Sequence, residues 1–121
     1  MILVDTSVWV DHFRAADAAL VQLLNAGMIL GHPFVTGEIA LGYLHRRALI
    51  LADLSTLPQA TVATDAEVLR FIDRYALFGR GIGYVDAHLL AAAQLTAGAT
   101  LWTRDKRSHA AARDLSLAMT P

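Results

Sequence analysis

The sequence predicts an α/β protein whose short strands pair in parallel through helical crossovers. Three observations predict it. Short apolar runs such as Ile2-Leu3-Val4 stop abruptly at polar residues, segments with helical spacing alternate with those runs, and Gly27, Gly31, Pro33 and Gly98 punctuate the alternation. The 121 residues suffice for one domain with its own core, expected to span residues 1–121.

Ile2-Leu3-Val4 reads as a buried parallel strand, and it ends at Asp5-Thr6-Ser7. Ligands of open α/β sheets bind at the strands' C-terminal edge, so Asp5 is a site candidate; the alternative is that Asp5 or Ser7 caps the next helix. Val8 to Phe13 reads as a short helix, and Asp17 caps a second that carries Leu20, Leu23 and Leu24 and ends at Gly27. Met28 to Leu30 is the second strand. Pro33 opens a third helix running to about Leu44, with Glu38 among Val35, Ile39, Leu41 and Leu44. That acid lies either on an exposed stripe or inside for a reason, because unpaired buried carboxylates are rarely tolerated.

Arg46 to Leu54 reads as a further helix, and Ala60 to Ala63, after Pro58, as a third strand. Thr64 and Glu67 form a capping-box pattern for a helix reaching about Tyr75, with Arg70 and Arg74 on one face and Asp65, Glu67 and Asp73 as capping and solvated residues. Gly79-Arg80-Gly81-Ile82-Gly83 lacks the preceding strand and the spacing of a phosphate loop. Tyr84 to Ala97 is the most apolar helix, yet Asp86 and His88 open it. The helix dipole alone would account for Asp86, and His88 reads as a structural or exposed histidine rather than a metal ligand. Thr100-Leu101-Trp102 is a fourth strand closing on Thr103-Arg104-Asp105. A last helix then runs from near Asp105 through Ala112, and Leu115 to Met119 forms an edge strand.

Composition narrows the function. Hydrophobic residues make up 55% of the chain and charged ones 17%, with mean hydropathy +0.44, so some apolar surface is expected to face a partner chain. Ten basic and eleven acidic residues leave a formal net charge of -1, which gives no global signature of nucleic-acid binding. There is no cysteine for disulfides or thiolate metal sites. No basic segment precedes the first apolar run and no uncharged stretch would span a bilayer, so a cytoplasmic protein without membrane contact is expected.

Parallel strands bring their ends to one edge, so Asp5 and Asp105 can converge there, joined by Glu38 and Asp86 from apolar helices. Four clustered carboxylates repel one another, and a hard divalent cation resolves the repulsion. Oxygen-only ligands point to Mg²⁺ or Mn²⁺ rather than zinc, and the five histidines contain no His-Glu-x-x-His arrangement. Such a pocket suits phosphodiester hydrolysis, in which metal ions activate water and neutralise phosphate charge.

Four stretches together resemble the PIN-domain family, specifically its VapC-type toxins: Ile2-Leu3-Val4-Asp5-Thr6-Ser7; Pro33-Phe34-Val35-Thr36-Gly37-Glu38-Ile39-Ala40; Gly83-Tyr84-Val85-Asp86-Ala87-His88 with the apolar run through Ala93; and Leu101-Trp102-Thr103-Arg104-Asp105-Lys106. The resemblance spans the whole chain. It implies a three-layer α/β/α fold with a short, mainly parallel sheet and a Mg²⁺- or Mn²⁺-dependent endoribonuclease site. The implied catalytic and metal-binding acids are Asp5, Glu38, Asp86 and Asp105, with Thr6, Ser7 and Thr103 as supporting hydroxyls. It also implies a homodimer and a cognate antitoxin, whose C-terminal segment wraps over the toxin and often inserts an arginine among the acids.

Arg104, Lys106 and Arg107, or Arg80 in the glycine loop, are candidates for holding RNA phosphates; each is otherwise an ordinary solvated charge. Two other functions are alternatives: a receiver-type phosphoacceptor, which shares the length, the parallel sheet and an acidic Mg²⁺ pocket, and a PIN-like module that only binds RNA or protein. The receiver fold needs an acceptor Asp ending a central strand, whereas the third predicted strand is followed by Thr64-Asp65 in a capping context.

Overall fold

A computed structural model describes residues 1–121. In chain order the elements are β1 (Ile2–Val4), α1 (Thr6–Arg14), α2 (Ala18–Asn25), β2 (Ile29–Leu30), α3 (Pro33–Ala40), α4 (Arg47–Ser55), α5 (Asp65–Arg74), α6 (Tyr84–Leu95), β3 (Thr100–Trp102) and α7 (Lys106–Asp114). The sheet has three parallel strands in the order β2-β1-β3. The middle strand is apolar and buried along its whole length, as it must be when both of its faces are covered. Helices cover the sheet in the three-layer α/β/α arrangement, and 28 buried residues drawn from strands and helices form a continuous core. The run Ala87 to Ala93 is buried throughout, which explains why α6 shows no clean amphipathic stripe in sequence.

Register sets the site. Ile2 pairs with Ile29 and Thr100, and Val4 pairs with Trp102, so β1 and β3 end level with each other. Asp5 and Thr103 leave the sheet side by side, with the Asp5 N–H donating to the Trp102 carbonyl at 2.9 Å.

Two predicted strands and one helix end depart from the sequence expectation by more than two residues. Ala60 to Ala63 is not a strand; only Gln59 makes a single parallel bridge, to Gly31. Alanine offers a sheet little side chain to pack, and the Thr61 N–H turns away to the Thr96 hydroxyl at 2.9 Å. Leu115 to Met119 likewise reduces to one bridge, Leu101 with Ala118, because Leu115 caps α7 and Ser116 turns the chain at φ 58°. The third helix stops at Ala40 instead of Leu44: Gly42 bonds back to the Ile39 carbonyl, and the Arg47 guanidinium closes the end with two bonds to the Ala40 carbonyl, at 2.9 and 2.8 Å. Leu41 and Tyr43 are left exposed in the turn that follows.

Candidate active site

Asp5 ends the central strand and also caps α1, so the two readings of this residue are compatible. Its carboxylate is buried, and Oδ2 accepts from the Ser7 hydroxyl at 2.6 Å, the Thr103 hydroxyl at 2.9 Å and the Ser7 N–H at 3.4 Å. Both hydroxyls are held in turn. Ser7 Oγ accepts from the Arg104 N–H at 3.1 Å, and Thr103 Oγ1 from the Asp105 N–H at 3.1 Å. Oδ2 is saturated by this network, while Oδ1 takes part in none of these bonds.

Asp105 repeats the arrangement on the neighbouring strand, capping α7 through a bond from the Ser108 N–H to Oδ1 at 2.8 Å. Glu38 lies on the exposed side of α3, and Thr6 of α1 donates to its Oε1 at 2.7 Å. Asp86 stands half-buried in the first turn of α6. Burial pushes its carboxyl above the usual carboxylate range, and the charges of Asp5, Asp105 and Glu38 push the same way, against a bond from the Gly83 backbone that lowers it. Asp5, Asp105 and Glu38 therefore all lie close enough to Asp86 to act on its charge at the C-terminal edge of the sheet. Gly83 makes room for this: a Cβ there would come within 3.3 Å of Asp86 Oδ2.

The predicted phosphate-binding bases separate into two kinds. Arg104 is occupied within the chain, by Asp11 at 2.6 Å and Asp17 at 2.7 Å, and it lies over the Trp102 ring. Arg80 pairs with Asp114 at 2.9 Å. Lys106 and Arg107 form neither ion pairs nor side-chain hydrogen bonds within the chain, and Arg107 packs over Gly81, whose φ of 75° excludes most side chains.

Sequence reasoning missed a second cluster beside the acids. His32 and His88 are 0% and 1% exposed, and neither His32 Nε2 nor either ring nitrogen of His88 has a hydrogen-bond partner. His32 Nδ1 accepts from the Phe34 N–H at 3.0 Å and so caps α3, which places the ring proton on the orphaned Nε2. Burial, helped by the neighbouring His88, lowers the His32 pKa to about 4. Phe34 and Tyr84 both pack on the His88 ring, at centroid distances of 4.6 and 4.7 Å. The Tyr84 hydroxyl donates to Asp65 at 3.2 Å, and His88 Nε2 lies 3.3 Å from the same oxygen without meeting it at hydrogen-bonding geometry. The available signal was spacing: Phe34 and Glu38, like Tyr84 and His88, are four residues apart on a helix. Asp65 itself is exposed at the start of α5, and no strand runs directly into it, as one would into a receiver's acceptor.

The sequence model of the PIN domain matches residues 2–114, and the chain belongs to the PIN-domain family. Two curated relatives, both named Ribonuclease VapC32, come from Mycobacterium tuberculosis strains CDC 1551 / Oshkosh and ATCC 25618 / H37Rv. Each is 51% identical over 119 residues, covering 98% of this chain and 96% of the relative. No helix is long and apolar enough to cross a membrane.

Proposed function

We propose that the protein is a divalent-metal-dependent endoribonuclease, the toxin of a toxin–antitoxin pair, which hydrolyses RNA phosphodiester bonds at Asp5, Glu38, Asp86 and Asp105. The observation that carries the reading is the gathering of three further carboxylates around half-buried Asp86 in a PIN-domain chain. The name of the relatives, a ribonuclease, supports the reaction class.

The donor chemistry fits a hard cation: four carboxylates and no thiolate, with one oxygen of Asp5 outside its hydrogen-bond network. No three acids stand at a spacing that already encloses an ion. Mg²⁺ needs only one or two direct carboxylate ligands, with waters completing its shell. Asp5 and Asp86 would hold it most directly, and Glu38 and Asp105 directly or through water. When bound, the ion offsets phosphate charge and makes water a stronger nucleophile at neutral pH.

The chain's own groups do the rest. Ser7 and Thr103 fix the Asp5 carboxylate, and Thr6 aims Glu38, placed to orient the attacking water and accept its proton. Lys106 and Arg107 hold substrate phosphates, while Arg80 and Arg104 are already neutralised by the carboxylates they pair with. A recess of about 310 Å³ among Trp9, Phe13, Leu24, Ile50, Leu54 and Leu57 supports an apolar antitoxin segment as partner. Exposed Leu41, Tyr43 and Leu49 support a homodimer, and we assign this single-domain chain to the cytoplasm as the place where an RNA-cleaving toxin meets its substrate.

Purified protein free of antitoxin is expected to cleave a structured RNA when Mn²⁺ or Mg²⁺ is added, and Asp5→Asn to abolish cleavage without unfolding. Absence of metal-dependent cleavage, or full activity of Asp5→Asn, would sink the proposal. Uptake of acetyl phosphate on Asp65 would replace it with the receiver reading.

A further inference from the structure

Phe34 and Tyr84 are aromatic rings that a small protein would normally cover, yet they are 36% and 48% exposed. Both rest on His88, which is wholly buried and so gives them a rigid floor. Phe34 stands one turn before Glu38 on one face of α3, which brings the cluster beside that acid; Tyr84 opens the first turn of α6, which also carries Asp86, and the Phe34 ring against His88 joins the two helices. Beside the rings, the Asp65 carboxylate is 83% exposed and takes only the Tyr84 hydroxyl as a close hydrogen-bond donor. Exposed π faces stack on any nucleobase, and a carboxylate accepts hydrogen bonds without donating any.

We infer that Phe34, Tyr84 and Asp65 form a base-binding subsite for the unpaired nucleotide next to the scissile phosphate. The rings stack the base, and Asp65 accepts from its amine. The subsite favours guanine, adenine and cytosine, whose exocyclic amine donates from an open edge, over uracil, whose one donor, N3–H, lies between two carbonyl oxygens that repel the carboxylate. The Tyr84 hydroxyl donates to Oδ1, which His88 Nε2 also approaches to 3.3 Å, so Oδ2 is the oxygen left open to the base. The two histidines are the buried support beneath the platform, with Phe34 lying against both rings.

This inference rests on the ribonuclease reading, and binding separates the two. Short single-stranded RNAs that differ only at one base are titrated into Asp5→Asn protein, with binding followed by fluorescence anisotropy; cleavage is measured in the active background. Phe34→Leu and Tyr84→Leu, which keep apolar bulk without an aromatic face, are expected to weaken binding about five- to a hundredfold. In the active background they should raise KM while leaving kcat and the metal-induced rise in melting temperature in place, and Tyr84→Phe should retain most of the affinity. Asp65→Asn, whose amide also donates, should erase the discrimination against uracil.

Unchanged RNA affinity in both leucine variants overturns the subsite, even if the wild type cleaves RNA. So does a change in oligomeric state or antitoxin capture with RNA affinity unaltered, which would make the rings a protein interface. If the leucine variants lose affinity as expected while no variant cleaves RNA, the subsite stands and the catalytic reading falls.

Discussion

Asp86 is the acid that the fold disfavours most. Its folded-state pKa lies above that of an unfolded aspartate, because burial and three neighbouring carboxylates penalise its charge. A carboxyl shifted this way holds its proton longer in the folded protein, so its contribution to stability is present at low pH and lost as pH rises through the folded pKa. At neutral pH, Asp86→Asn should therefore raise the melting temperature of metal-free protein while abolishing both cleavage and the further rise on adding metal. A lowered melting temperature in the metal-free variant would show that Asp86 is not under repulsion. Thr103 tests the same site from its support. Thr103→Val keeps the shape but removes one donor to Asp5 Oδ2 and the acceptor for the Asp105 N–H. Metal affinity, read from the melting temperature against metal concentration, should fall about ten- to a hundredfold.

Among the elements, the acids occupy particular helix ends. Asp5 caps α1, Asp105 caps α7, and Asp86 sits in the first turn of α6, so three helix N-termini point their partial positive charge at one edge. This offsets part of the repulsion that the sequence alone assigned wholly to a cation. The edge also has a strap. Arg104 joins the end of β3 to Asp11 of α1 and to Asp17, the cap of α2, while its backbone N–H holds Ser7. Arg104→Ala should lower the melting temperature by about 2–5 °C and weaken metal binding through Ser7, and Arg104→Lys should restore little, because one ammonium cannot hold two separate carboxylates in a fixed fork. An unchanged metal affinity would reduce Arg104 to a surface ion pair. The strand-end acids were legible in sequence because an apolar run stopping at a carboxylate marks an edge. The partners of Arg104 were not, since Asp11 and Asp17 come from nearly ninety residues away or more and no local pattern pairs them. The predicted strands at Ala60 and Leu115 failed for a related reason: apolar character was present, but their backbone bonds were taken by Thr96 and by the turn at Ser116.

Over the whole molecule, Asp86 and the buried His32 make stability respond to pH in opposite senses. His32 is fully enclosed, and its pKa falls from an unfolded value near 6.5 to about 4. Between those values the unfolded chain binds a proton that the folded chain excludes, so stability is complete above about pH 6.5 and declines as pH falls toward about 4. The full loss amounts to about 3 kcal/mol from this residue, a large share of what a domain of this size has. Asp86 works the other way, gaining as the pH falls, so the net curve of the wild type is shallower than His32 alone would give. His32→Asn separates them, because asparagine can still accept from the Phe34 N–H at the α3 cap but does not titrate. Denaturant unfolding of wild type and variant should give curves that run parallel above pH 7 and converge or cross as the pH falls toward 4, the wild type losing stability faster. Curves that stay parallel down to pH 4 would mean that protonated His32 is accommodated in the folded protein.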